Sequence, residues 1–166
     1  MNIYVTLLGR SGWALLNTYY AAVDGGYTAD TVHVFAEEAY KDMVGEIERG
    51  LGIISEGYGF SPDIKTHVVE GADFAEVAGE FRETLQTMIE EGNEVSIDIT
   101  PGRKILVAAA LLSAFELSSR GGLNVHRVLY LAVTETQPRP YYEIPLQFQE
   151  LRNLLDDIEG ADARGR

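Results

Sequence analysis

Apolar residues recur along the chain in two alternating patterns, short continuous runs and stripes at helical spacing. The run Asn2–Leu8 is rich in strand-forming residues and is followed by the turn Gly9-Arg10-Ser11-Gly12, so it predicts a buried first strand. Residues 13–23 then carry apolar side chains at helical spacing and end at Asp24-Gly25-Gly26. A strand, a glycine turn and a helix in this order predict the beginning of an α/β fold.

The same alternation continues through most of the chain. The patterns predict strand 31–36, helix 38–55, strand 64–69, helix 73–91, strand 94–99, helix 103–118 and strand 127–133. Helix 73–91 has the clearest apolar stripe. Helix 103–118 is apolar nearly all round, so we expect it to be deeply packed.

The C-terminal part has a different pattern. The link 135–140 is too short for a parallel crossover, so strand 141–145 is predicted to be antiparallel, with prolines protecting a sheet edge. An amphipathic helix over 147–159 and a frayed tail over 160–166 complete the prediction. We therefore expect a single domain over 1–159, a Rossmann-like α/β fold with a mainly parallel six-stranded sheet, helices on both faces and a C-terminal antiparallel β-hairpin.

Composition narrows the function classes. The 166 residues are 46% hydrophobic and 23% charged, which is enough to bury a core, and the net charge of −13 disfavours binding along duplex nucleic acid. The absence of cysteine removes disulfides and thiolate chemistry. We find no apolar run of membrane-spanning length and no basic region of a signal peptide, so we expect a cytoplasmic protein without a membrane partner.

Two loops of unusual composition are predicted to meet. In a sheet of order 3-2-1-4-5, ligands bind at the carboxyl ends of strands one and four, where the chain reverses direction. The loops there are Gly9-Arg10-Ser11-Gly12 and Thr100-Pro101-Gly102-Arg103-Lys104, and each combines glycine, a hydroxyl and a cation. Such residues at helix starts can hold anionic oxygens. The alternative is that both are ordinary turns whose cations face solvent.

Other site types are not supported by the sequence. The dinucleotide fingerprint and the Walker loop are absent, although Glu37 lies near the end of strand two. Ser11 lacks a nucleophile elbow, and His33, His67 and His126 have no metal-ligand spacing. We therefore predict no metal and no cofactor. Aromatic residues from Trp13 onward could stack on bases, but helical spacing is more typical of a core.

The sequence resembles the CARF domains, the CRISPR-associated Rossmann-fold modules that sense cyclic oligoadenylates. The resemblance rests on the turn 9–12, on Asp98-Ile99-Thr100-Pro101-Gly102-Arg103-Lys104, which is similar to the family pattern Asp/Asn-x-Ser/Thr-Gly-Gly-x-Lys, and on the hairpin from Tyr130 to Tyr142-Glu143-Ile144-Pro145. These motifs cover nearly the whole chain. Pro101 departs from the pattern, because it stands where a glycine is common and donates no amide hydrogen bond.

The resemblance implies a homodimer whose two pockets cradle one cyclic oligoadenylate, most plausibly cyclic tetra-adenylate. Because one helix is predicted after the hairpin, it further implies a ring nuclease that cuts this messenger without metal and ends type III CRISPR signalling. The implied catalytic residues are Ser11, Lys104 and Arg103. The implied ligand-binding residues are Gly9, Arg10, Gly12, Trp13, Thr100, Pro101 and Gly102.

Two alternatives remain at this point. One is a non-catalytic CARF sensor that acts through a separate partner. The other is an unrelated α/β enzyme that binds a nucleotide or phosphosugar.

Overall fold

The computed structural model describes residues 1–70, 74–121, 125–134 and 145–156, with side chains omitted at 119–121. The strands are β1 (Asn2–Leu8), β2 (Thr31–Glu37), β3 (Asp63–Val69), β4 (Glu94–Asp98), β5 (Arg127–Val133) and β6 (Gln149–Asn153). The α-helices are α1 (Gly12–Asp24), α2 (Val44–Gly57), α3 (Phe74–Glu90) and α4 (Lys104–Gly121), and two short 3₁₀ helices span Glu38–Met43 and Leu146–Phe148.

Within the described residues, six strands form one sheet in the order β3-β2-β1-β4-β5-β6. The first five run parallel to their neighbours, and β6 is antiparallel to β5. This confirms the predicted fold class, including the order 3-2-1-4-5 and the antiparallel end of the sheet. The central strand β1 lies between β2 and β4, so its carboxyl end is the point where the chain reverses direction across the sheet.

Side chains that alternate along β1 reach two separate cores. Val5 and Leu7 are buried with residues of α3 and α4, including Phe81 and Leu106. Tyr4 and Leu8 are buried on the other face, with residues of α1 and α2 that include Leu15 and Leu51. Helices therefore cover both faces of the sheet, as a doubly wound α/β fold requires. No helix of the described residues is both long and apolar enough to cross a membrane.

The helix predicted over 38–55 is divided into two elements. Its first turns form the 3₁₀ helix Glu38–Met43, and α2 begins at Val44. Tyr40 and Met43 are three residues apart and both pack against the core beneath α1 and α2. This spacing fits the three residues per turn of a 3₁₀ helix.

The helix predicted over 147–159 is wrong in its first part, because Gln149–Asn153 forms strand β6. Leu151 packs on the α1 and α2 side of the sheet, whereas Leu154 and Leu155 pack on the α3 and α4 side. A spacing that looks helical thus places side chains on both faces of a sheet. Asn153 ends the strand, since its Oδ1 accepts hydrogen bonds from the backbone N of Val128 and of Leu155. Residues 154–156 are helical, as predicted.

The predicted link 135–140 and all but the last residue of predicted strand 141–145 lie outside the described residues, as do positions 157–159 and the tail 160–166. Pro145 directly precedes the 3₁₀ helix Leu146–Phe148. The antiparallel neighbour of β5 is therefore β6, further along the chain than the sequence pattern indicated.

Candidate functional site

The loops that follow β1 and β4 are in direct contact. A Cβ atom placed on Gly9 would lie 2.7 Å from the carbonyl oxygen of Pro101 and 3.2 Å from the backbone N of Arg103. The first distance is shorter than a real Cβ atom tolerates against a backbone oxygen, so glycine lets the two loops approach this closely. The two loops therefore meet at the carboxyl ends of β1 and β4, which is where the switch-point rule expects a ligand. We call the region between these loops the crevice.

Gly12 and Gly102 fit closely against neighbouring side chains. A Cβ on Gly102 would lie 2.5 Å from Leu7 Cδ1, and one on Gly12 would lie 2.6 Å from Ile47 Cδ1. At Gly102 the Cβ of Leu7 is also close, at 3.0 Å, so packing of the loop on β1 accounts for this glycine with or without a ligand. At Gly12 the close atom is the end of a flexible side chain, which can move.

Ser11 caps helix α1 at the crevice. Its Oγ accepts a hydrogen bond of 3.4 Å from the backbone N of Ala14. The side chain is exposed, and its hydroxyl hydrogen is available for an acceptor. The sequence reading placed this residue in a turn before a helix, and the structure places it at the cap position.

Asp98 fixes the conformation of the loop that follows β4 through hydrogen bonds. It is fully buried at the end of β4, where its Oδ1 accepts a hydrogen bond of 2.9 Å from the backbone N of Thr100 and its Oδ2 accepts one of 3.1 Å from Thr6 Oγ1. Burial raises the pKa of this carboxyl to about 7, although the hydrogen bonds from Thr100 and Thr6 act in the opposite direction. Thr100 Oγ1 in turn accepts a hydrogen bond of 2.8 Å from the backbone N of Leu131 in β5.

Arg103 reaches across the crevice to the end of β2. Its Nη1 lies 2.6 Å from Glu37 Oε2, and the Glu37 side chain is only 3% exposed, whereas that of Arg103 is 53% exposed. The sequence pattern pointed to Glu37 only as a possible part of a dinucleotide fingerprint and gave no sign of its pairing with Arg103. The available signal was an acidic residue at the last position of an otherwise apolar strand.

The crevice also contains the cations Arg10 and Lys104. Both side chains are exposed, and neither forms a hydrogen bond or ion pair within the part of the chain that the structure describes. Lys104 is the first residue of α4, where a positive charge opposes the helix dipole. An anion bound between the starts of α1 and α4 would offset that repulsion.

Trp13 stands beside the crevice and is not a core residue. It is 44% exposed in the first turn of α1. Its ring lines an apolar groove of about 390 Å³ between α1 and α2, together with Leu16 and Ile53. The groove is suited to a flat apolar group and lies next to the turn at residues 9–12.

A second groove, of about 410 Å³, lies at the opposite end of the sheet. Its wall includes Met1, Thr31 and Asn93 at the amino ends of the strands, together with Lys65 and the carboxylates of Glu83 and Glu91. The charged side chains of this wall carry opposite signs. This groove is far from the loops that the sequence singled out, and it lacks a helix start.

Two of the three histidines meet in the fold. His33 Nδ1 and His67 Nε2 are 2.8 Å apart on neighbouring strands, and burial lowers the pKa of His33 to about 4. Their separation of 34 positions hid this pair in the sequence. His126 lies 3.8 Å from Glu94 at the surface. Among the described residues, no group of three possible metal ligands is present.

Comparison with known proteins identifies solved structures that share the fold of this chain. No family model and no curated protein matches the sequence. Can2 from Sulfobacillus thermosulfidooxidans, solved in complex with cyclic tetra-adenylate, matches with a TM-score of 0.52 and 17% identity over 78% of this chain and 32% of that one. Protein VC1899 from Vibrio cholerae matches with a TM-score of 0.62 and 9% identity over 80% and 31% of the two chains. The chain thus spans about a third of the length of each structure and shares their α/β fold.

Proposed function

We propose that this protein is a CARF-like domain that binds a cyclic oligoadenylate, most plausibly cyclic tetra-adenylate, in the crevice between the β1–α1 and β4–α4 loops, and that it acts in the cytoplasm. The observation that carries the proposal is the contact of Gly9 with Pro101 and Arg103, which joins the two loops into one site. The shared fold with Can2, which was solved with cyclic tetra-adenylate, supports the same ligand class.

The crevice has the chemistry that a phosphodiester ring requires. Arg10 and Lys104 supply positive charge, and α1 and α4 direct the positive ends of their helix dipoles to this region. Ser11 can donate its hydroxyl hydrogen to a phosphate oxygen. The exposed ring of Trp13 offers a face on which an adenine can stack. A strongly acidic molecule can therefore bind a compact anion locally while its overall field repels long duplexes.

A two-fold symmetric ring is best bound by two copies of this chain. The sequence predicted a deeply packed α4, but its outer side exposes Leu111, Leu112 and Phe115. We assign this surface to a homodimer contact, because α4 begins at Lys104 and its pairing would bring two crevices side by side. Light scattering should give the mass of a dimer. Leu112→Glu should give a monomer, whereas Ile53→Glu, the same type of change at an exposed position on α2, should not.

We further propose that the bound ring is cleaved. A ribose 2′-oxygen attacks the adjacent phosphorus, the bond from phosphorus to the 5′-oxygen breaks, and the proton of the 2′-hydroxyl is transferred to that 5′-oxygen. The product is a linear oligoadenylate with a 2′,3′-cyclic phosphate and a 5′-hydroxyl. Lys104 and Arg103 would stabilise the negative charge that develops on the phosphorus-bound oxygens, and Ser11 would orient the phosphate.

The test is incubation of the purified protein with cyclic tetra-adenylate and cyclic hexa-adenylate in excess EDTA, followed by separation of the products. Cleavage supports the ring nuclease. Binding of the intact ring supports a sensor that acts through a separate partner. Indifference to both rings, with affinity for a mononucleotide, supports an unrelated nucleotide-binding enzyme and contradicts the proposal.

Two substitutions locate the chemistry. Lys104→Ala should slow cleavage by about 100- to 1,000-fold, and Ser11→Ala should slow it less, because each removes a donor from the charged transition state. Lys65→Ala and Ser61→Ala are matched controls, since both residues are exposed and distant from the crevice. Parental rates in both crevice variants would exclude this site.

A further inference from the structure

We infer that Glu37 is a positioning residue of the binding site, which holds the Arg103 guanidinium in place while its other N–H groups bind a phosphate of the ligand. This inference rests on the proposed cyclic oligoadenylate binding. It assigns a role to a residue at the end of β2, one strand away from the loops that the sequence identified.

Glu37 is a buried carboxylate. Its side chain is 3% exposed, and Oε2 accepts a hydrogen bond of 2.6 Å from Arg103 Nη1. The second oxygen, Oε1, is buried without a hydrogen-bond partner among the described residues. Arg103 is therefore the one cation that compensates this carboxylate within the described structure, and its departure would leave a buried charge unpaired. We conclude that Arg103 stays on Glu37 when a ligand binds.

Arg103 has hydrogen-bond donors in addition to the one that contacts Glu37. A guanidinium has five N–H donors in a fixed plane, and one nitrogen, Nη1, is engaged with Glu37. The side chain is 53% exposed, so the remaining donors can reach a ligand from the edge away from Glu37. A guanidinium anchored on one edge can form the paired hydrogen bonds that phosphate favours with little further loss of side-chain freedom.

The Glu37–Arg103 pair lies beside Gly9. The backbone N of Arg103 lies against Gly9, and Leu8 and Ala36 are paired across β1 and β2, so the residues that follow them are neighbours. The ion pair therefore spans the crevice from β4 to β2 above the Gly9 turn. Because Glu37 neutralises Arg103, the net positive charge of the crevice comes from Arg10 and Lys104. Arg103 contributes hydrogen-bond donors in a fixed orientation.

The test is the affinity for a cyclic tetra-adenylate whose 2′-hydroxyls are replaced by fluorine, so that the ring cannot be cleaved. It is measured by isothermal titration calorimetry for four proteins: wild type, Glu37→Gln, Arg103→Ala and the double variant. Glu37→Gln should weaken binding about tenfold, because it removes a charge-assisted hydrogen bond that fixes the guanidinium. In the Arg103→Ala background the same change should alter the affinity by less than about twofold. Glu94→Gln is the matched control, since it removes an exposed carboxylate at the opposite end of the sheet.

Each other outcome overturns the inference. Tighter binding by Glu37→Gln would mean that Glu37 withholds Arg103 from the ligand. Unchanged affinity in Glu37→Gln or in Arg103→Ala, in protein whose thermal melt shows that it is folded, would mean that the pair serves the fold alone. Failure of the wild type to bind the ring would overturn the proposed function and, with it, this inference. If the wild type binds the ring normally, a failed prediction for the variants contradicts the role of Glu37 and does not contradict the proposed function.

Discussion

Two buried carboxylates flank the central strand β1 at its carboxyl end, and the structure holds them in different ways. Asp98 is the last residue of β4, and Glu37 is the last residue of β2. Asp98 is held by hydrogen bonds from Thr100 and Thr6. Glu37 is held by a guanidinium at 2.6 Å.

The nature of the partner decides what each carboxylate can do. Neutral donors do not fully compensate a buried negative charge, so burial raises the pKa of Asp98 to about 7, and the group can bind a proton near neutral pH. Asp98 thus acts as a hydrogen-bonding centre that shapes the β4–α4 loop. Glu37 has a cationic partner and so supplies an anchor for a side chain that faces solvent. Asp98 follows Ile97, which pairs with Val5, and Glu37 follows Ala36, which pairs with Leu8. The two carboxylates therefore lie at different levels beside β1 and support different parts of the candidate site.

The largest expected effect is the pH dependence of stability due to Asp98. Its pKa is higher in the folded protein, about 7, than its usual 3.8, so the folded state binds the extra proton between these values. The stabilisation is complete below pH 3.8 and is lost as the pH rises through 7. Asp98→Asn removes this loss, so its unfolding free energy relative to wild type should rise from pH 4 to pH 8 by on the order of 4 kcal/mol.

Urea unfolding of both proteins at each pH measures that difference, and the other carboxylates contribute equally to the two curves. Asp63→Asn, at an exposed position, is the control and should show a nearly constant difference from wild type. Parallel curves for Asp98→Asn and wild type would show that the buried carboxyl does not titrate in this range.

The next effect is the loss of the partner of Glu37. Arg103→Ala leaves a carboxylate that is 3% exposed without its cation, and we expect a loss of about 3 kcal/mol in unfolding free energy. Adding Glu37→Gln should recover much of it, because the amide carries no charge. Arg82→Ala breaks a pair with Glu116 that is about two-fifths exposed on both sides, and should cost less than about 1 kcal/mol. Equal losses for the two arginines, measured by urea unfolding, would contradict the difference in burial.

The order of the elements could be predicted from the sequence because period and glycine turns are local signals. Strands β1 and β5 were predicted with the observed bounds, and the strand order was confirmed. Strand β6 was not predicted, because its leucines fit a helical stripe equally well, and only pairing with β5 decides between them. The exposed side of α4 was also missed, since apolar residues all round a helix do not show which side is covered.

The sequence predicted which loops meet at the candidate site, but not which side chains in them pair with one another. Gly9 and Pro101 are in contact, which follows from the strand order. The pairing of Arg103 with Glu37 spans 66 positions, and that of Thr100 Oγ1 with the backbone N of Leu131 spans 31. Such contacts depend on side-chain direction in three dimensions, and no local pattern records them. The roles of the predicted site residues stay predictions.

The smallest effect concerns the Thr6 hydroxyl, which donates to Asp98 Oδ2. This hydrogen bond favours the ionised carboxylate and so holds the pKa of Asp98 below the value that burial alone would give. Thr6→Val keeps the side-chain volume and removes the donor. We expect a cost of about 1 kcal/mol at pH 8, where Asp98 is ionised, and a smaller cost at pH 5.

The pH at which stability falls should also move upward in Thr6→Val, because the pKa of Asp98 rises further when the donor is lost. Urea unfolding across this range gives both quantities. Thr66→Val is a close control, because Thr66 Oγ1 also donates to a carboxylate, that of Glu48, at a site which is only partly buried. Both variants are compared at pH 5 and pH 8, and the increase in cost between these values should be larger for Thr6→Val. A pH-independent cost for Thr6→Val would mean that the hydroxyl serves the packing of β1 and leaves the proton affinity of Asp98 unchanged.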